Sequence, residues 1–156
     1  AAAYFLVKRF LDNDQKRREH ELKKTTLGTI TPLKIQAFER IVIYLERINP
    51  NSLVIRVNKN GMSARQLHME LVNAIKTEYE HNLSQQIYLT AGAWELVKTS
   101  KEEIIQLVNI SSSKVPADAN SSELAMMILN ITANLGKKLP NDVAIDYLKK
   151  EIAQIF

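Results

Sequence analysis

The chain has 156 residues, 46% of them hydrophobic, with four Gly, four Pro and no Cys. That is enough for one domain with a real core; it leans helical in composition and excludes disulfides, thiol catalysis and Cys-based zinc sites. The formal charge of +4 is uneven: residues 1–24 hold seven Lys/Arg against four Asp/Glu (7 − 4 = +3), and residues 25–156 hold fourteen against thirteen (14 − 13 = +1).

The first seven residues, Ala1 to Val7, are apolar and run straight into Lys8-Arg9, with no initiator Met ahead of them. A spanning helix needs about 20 apolar residues, so this run reads as the tail end of a longer anchor. A signal peptide fits less well, because its charge precedes its apolar run. From Tyr4 to about Lys24 the pattern is helical, yet Asp12 to Glu21 is ten residues without an apolar side chain. Pairs at i,i+4 support such a helix by roughly 0.2–0.5 kcal/mol each; Asp12–Lys16, Asp14–Arg18 and Glu19–Lys23 are spaced to form them. Residues 1–27 thus read as the end of an anchor plus a basic, solvated helical stalk, about 24 residues reaching on the order of 36 Å. The membrane-proximal basic residues Lys8, Arg9, Lys16, Arg17 and Arg18 orient the remainder towards the cytoplasm and suit anionic lipid headgroups.

Thr25 to Ile30, with Gly28, reads as a hinge into residues 28–156, the helical domain. Its central helix runs from a Thr31 N-cap, with Pro32 one residue inside, to the stop at Asn49-Pro50. Phe38, Ile41, Val42, Leu45 and Ile48 form its apolar stripe; Ile35, Ile43 and Tyr44 lie off it, which predicts neighbours on several sides. Leu53 to Val57 reads as strand or short helix, and short helix or irregular structure is favoured because no hairpin partner follows Asn60-Gly61. Ser63 and Gln66 form a capping box for a helix to about His81. Gln85 to Leu89 is a connector, and Thr90 caps a helix carrying Trp94, Val97, Ile104, Ile105 and Val108. Ser100-Lys101-Glu102-Glu103 reads as a second capping box within that run, which could split it in two; the helix is expected to continue through it, with that face solvated. Ser111 to Asn120 reads as a polar, mobile loop. Glu123 to Leu135 is nearly all apolar and too short to span a bilayer, hence a buried helix with Gly136 as its C-cap and Lys137 and Lys138 at its negative end. Pro140 opens a last helix with Ile145, Leu148, Ile152 and Ile155 on one face, forming a short-loop antiparallel hairpin with the helix before it.

No site chemistry stands out. Glu78 and His81 share the i,i+3 spacing of carboxylate-bridged metal bundles, but such sites need a second copy and further Glu ligands. His68, with Glu70 nearby, has no nucleophile–base–orienter set around it, and there is no phosphate-binding loop or H-E-x-x-H. The basic N-terminal segment lacks the aromatic interleaving of a nucleic-acid interface. Trp94, the single tryptophan, becomes an interface anchor if half exposed; Ile43 and Tyr44 are the other candidate interface residues.

The runs ITPLKIQAFERIVIYLERINPNSLVIRV (Ile30–Val57) and LVNAIKTEYEHNLSQQIYLTAGAWELVK (Leu71–Lys98), with the anchor-like start, resemble an uncharacterised family of small Bacteroidota proteins. The resemblance covers most of residues 4–110 and implies an N-terminal hydrophobic anchor and a helical domain, with no activity, cofactor or catalytic residue to carry over. Together these features predict an all-α fold, a compact bundle of about five helices behind the stalk. They predict a non-catalytic interaction or scaffold subunit of a membrane-associated assembly, the cytoplasmic domain of a single-pass inner-membrane protein, with protein partners at the membrane or a second copy of itself. The rivals are a metal- or ligand-binding bundle enzyme using Glu78 and His81, and a nucleic-acid binder using the basic segment.

Overall fold

The computed structural model describes all 156 residues and is all-α. The helices are α1 (Ala2–Arg47), α2 (Pro50–Val57), α3 (Ala64–His81), α4 (Ala91–Ser113), α5 (Ser121–Ala133) and α6 (Pro140–Ala153), with a 3-10 segment (Leu83–Tyr88) between α3 and α4. By contacts the chain divides into two units, Ala1–Gln36 and Ala37–Phe156.

In the first unit every residue from Ala1 to Ile30 is exposed except Asp14. Of the three expected charge pairs only Asp14–Arg18 closes, at 2.9 Å. Arg17 instead bridges Asp14 and Glu21, each at 3.8 Å. The expected hinge at Thr25–Ile30 is continuous helix, and Thr31 lies inside α1 rather than capping a new one. An upstream turn already supplies the carbonyls a cap would replace. Thr25 and Thr29 donate their hydroxyls back to Glu21 O and Thr25 O, at 2.9 and 3.1 Å, the bond such residues make inside a helix. Pro32 deprives the carbonyl four residues earlier of its partner. That residue is Gly28, which has no Cβ and open space around it. The second unit begins at Ala37, the first buried residue.

Side-chain pairs give the topology of the second unit. Arg40 and Arg47 of α1 meet His81 O and Glu78 of α3, so these stretches run antiparallel. His68 meets Asn109 while Tyr79 meets Trp94, setting α4 antiparallel to α3. Ser100 donates to Pro140 O at 3.0 Å and Thr90 to Glu151 at 2.9 Å, setting α6 antiparallel to α4. Asn141 of α6 reaches Leu45 O of α1 at 3.4 Å and closes the ring. Four segments thus alternate up and down around one core, lined by Phe38, Ile41, Leu45, Leu71, Ile104 and Leu148 among others, each such buried side chain contributing about 1.5–3 kcal/mol. Helix α5 packs on α2, α3 and α4.

Local chemistry sets the ends of these elements. Ser52 donates to Glu46 O and Asn49 O, each at 3.2 Å, and Arg56 to Arg47 O at 3.1 Å, which satisfies the last carbonyls of α1. With Asn49 capping at Asn51 N and Pro50 in the first turn, Leu53–Val57 becomes helix, burying Leu53 and Val54 and exposing Ile55. The Ser63–Gln66 box closes at 2.9 and 3.1 Å. A second box, Asn120 with Glu123, starts α5 at 2.8 and 3.0 Å. The two boxes lie side by side. Ala64 N–H donates to Ala119 O and Ser121 N–H to Met62 O, both at 3.0 Å. The segment expected to be a loop from Ser111 is thus helical to Ser113 and tied at its far end, and Ser111 is buried with its hydroxyl on Leu107 O.

Two expectations fail for tertiary reasons. Ser100 is buried, not solvated, because α6 crosses it; Ala93 and Ser100 on α4 and Ala144 on α6 are small enough for a close approach. Helices α5 and α6 form no hairpin, since α6 lies along α4 instead. The connector, with Gly136 at φ +68°, is long enough to release α6 from α5. Lys138 correspondingly serves α6, on Asp146 at 2.6 Å, and not the end of α5.

Candidate interaction surfaces

The residues singled out in the sequence fall in four places. Tyr44 is 1% exposed and off the surface altogether. Its ring meets Tyr79 at 6.1 Å, and Tyr79 in turn stacks on Trp94 at 5.5 Å, with Lys101 Nζ 4.2 Å over the Tyr79 ring. No protein group bonds the Tyr44 hydroxyl. Burial foremost, with Tyr79, Glu78 and Glu102 nearby, pushes its pKa well above the usual phenol range. Trp94 is half-buried, packed against the core with its ring stacked on Tyr79. Ile43 is 58% exposed.

Ile43 borders an apolar groove of about 360 Å³ between α1 and α6, walled by Phe38, Val42, Leu148 and Ile152. Glu39 on α1 and Lys149 on α6 complete its lining. A wheel of α1 alone could not show it, because one wall belongs to a helix over a hundred residues away in sequence. A second cleft opens where α5 and α6 part over α4, as adjoining hollows of about 360 and about 280 Å³ that share Glu103, Lys137 and Pro140.

The metal-like pair is spent otherwise. Glu78 Oε1 accepts from Arg47 Nη2 and Nε at 2.5 and 2.6 Å, while His81 contributes its backbone carbonyl to Arg40. No group of three or more His, Cys, Asp or Glu side chains is gathered anywhere. His68 bonds Asn109 at 2.7 Å rather than Glu70.

The basic residues Lys8, Arg9, Lys16, Arg17 and Arg18 are all exposed on the first unit. So are Tyr4, Phe5, Leu6, Val7, Phe10 and Leu11, with Phe5 and Phe10 each at 73%. At 100° per residue these apolar side chains point around the whole circumference of the helix. No helix is long and apolar enough to cross a membrane.

These features define an all-α bundle protein with uncovered apolar side chains on both of its units. A protein-family model described as "Family of unknown function (DUF7935)" matches residues 1–155, and the chain belongs to that family. The match extends past the Ser111–Asn120 segment to nearly the whole chain. Neither the curated proteins nor the solved structures provide a match.

Proposed function

We propose that the protein is a non-catalytic interaction subunit of a membrane-associated assembly, held at the bilayer by residues 4–11 with its helical body on the cytoplasmic side of a bacterial inner membrane. The observation that carries this reading is the concentration of six large exposed apolar side chains within Tyr4–Leu11, interleaved with Lys8 and Arg9 and followed by Lys16, Arg17 and Arg18. Monomeric soluble proteins rarely leave such a patch uncovered. Aromatic rings with neighbouring cations suit the boundary between acyl chains and headgroups, and each basic residue near an anionic surface is worth about 1 kcal/mol. Anionic lipid on the cytoplasmic leaflet gives the orientation. The resemblance to anchored Bacteroidota proteins points the same way.

Flotation of the chain with vesicles of phosphatidylethanolamine and phosphatidylglycerol tests the reading. The wild type rises with the vesicles, and a Phe5→Glu/Phe10→Glu variant stays at the bottom while retaining its helical circular dichroism. Wild-type protein that remains at the bottom overturns the attachment.

A further inference from the structure

The groove between α1 and α6 carries matched features on one small surface. Its walls, Phe38 and Val42 from α1 and Leu148 and Ile152 from α6, are apolar and lie wholly within the second unit. On the rim of this hollow, as part of its lining, lies Ile43, 58% exposed and of the same chemistry. The two charges on the lining have opposite signs and sit on opposite walls, Glu39 on α1 and Lys149 on α6. Neither closes an ion pair within 4 Å in its own chain, unlike Arg47 with Glu78 or Lys138 with Asp146 on the same unit.

A twofold contact requires a surface that complements itself: if residue i meets residue j, then j meets i. An exposed apolar side chain on the rim of an apolar hole, with an acid on one wall and a base on the other and neither closed in an ion pair, meets that condition. A partner of single charge, such as an acidic or a basic peptide, would satisfy one wall and oppose the other. We infer that the α1–α6 groove is the interface of a homodimer, in which Ile43 of each copy enters the groove of the other and Glu39 of each faces Lys149 of its partner. This deepens the interaction reading by naming the partner. It rests on a different surface from residues 4–11, so a failure of vesicle binding leaves it standing.

Sedimentation equilibrium of the full chain without vesicles tests it through charge reversal. The wild type is a concentration-dependent dimer. Glu39→Lys and Lys149→Glu each set like charges opposite one another at two symmetry-related places and weaken dimerisation by roughly tenfold or more. The Glu39→Lys/Lys149→Glu double variant regains the wild-type constant, and Ile43→Arg abolishes association while leaving the melting transition in place, because Ile43 is not a core residue. A wild type that stays monomeric at every concentration overturns the inference. So does a dimer indifferent to either single reversal, which would place association on another surface, or a double variant no better than the singles.

Discussion

Replacing Tyr44 with Phe should stabilise the protein, although Tyr44 is one of its most deeply buried side chains. The ring fills core space beside Tyr79, at 6.1 Å between centroids, and Phe keeps that packing. What the substitution removes is a hydroxyl that is stripped of water and bonded to no protein group. An unsatisfied buried polar group costs about 1–3 kcal/mol, so Tyr44→Phe should gain on the order of 1–2 kcal/mol. For a chain of this size each kcal/mol moves the melting temperature by about 2–4 °C. Urea unfolding followed by circular dichroism reads the gain as a higher midpoint at unchanged slope. The sign with pH follows from the same hydroxyl. Its pKa is raised in the folded state, so its contribution is intact below the unfolded phenol value of about 10 and is lost as pH climbs from there towards the folded value. The advantage of Tyr44→Phe over wild type should therefore widen above that pH. A variant destabilised by about 1 kcal/mol or more would refute the reasoning, because it would mean that the hydroxyl is bonded after all.

Gly28→Ala should raise the helical ellipticity and stabilise α1 by about 0.5–1 kcal/mol, since Gly28 is in mid-helix with open space where a Cβ would go; a loss of helix would restore the hinge. Asn120→Ala removes half of the capping box of α5 and should cost about 1 kcal/mol in urea unfolding, and an unchanged midpoint would contradict the cap. The Lys138 hydrogen bond holds the Asp146 carboxyl below its ordinary range. Its contribution is therefore present above the unfolded carboxyl value of about 4 and lost as pH falls through the folded one. Asp146→Asn should flatten that part of the acid-unfolding profile, and a profile that superimposes on wild type would deny the pair any role.

What could be read from the sequence was local. Ser63 and Gln66 stand three apart before an apolar run, and Asn49-Pro50 both ends one helix and begins the next; such signals need no knowledge of the rest of the chain. Asn120 and Glu123 carry the same signal, masked by the serines around them. Gly28 and Pro32 look like punctuation, but a single Gly costs only about 1 kcal/mol, and the helical turns on either side outweigh it. The burial of Ser100 and Asn141 and the pairing of α6 with α4 were not legible, since a polar residue on a helix wheel gives no sign that another helix will cross it. Tyr44 misled for a related reason. Helix α1 is flanked by both α3 and α6, so its buried arc is wider than its most hydrophobic stripe. Ile43, just outside that arc, was the one visible trace of the groove.

Fractionation of source cells followed by a high-salt wash and then an alkaline wash puts the membrane attachment to its sharpest trial. If residues 4–11 insert among the acyl chains, the native protein should sediment with the membranes and survive the salt wash, which would strip a purely electrostatic contact through Lys16, Arg17 and Arg18. Recovery of the protein in the supernatant before any wash would contradict the attachment, and the exposed apolar side chains of Tyr4–Leu11 would then require a protein cover instead.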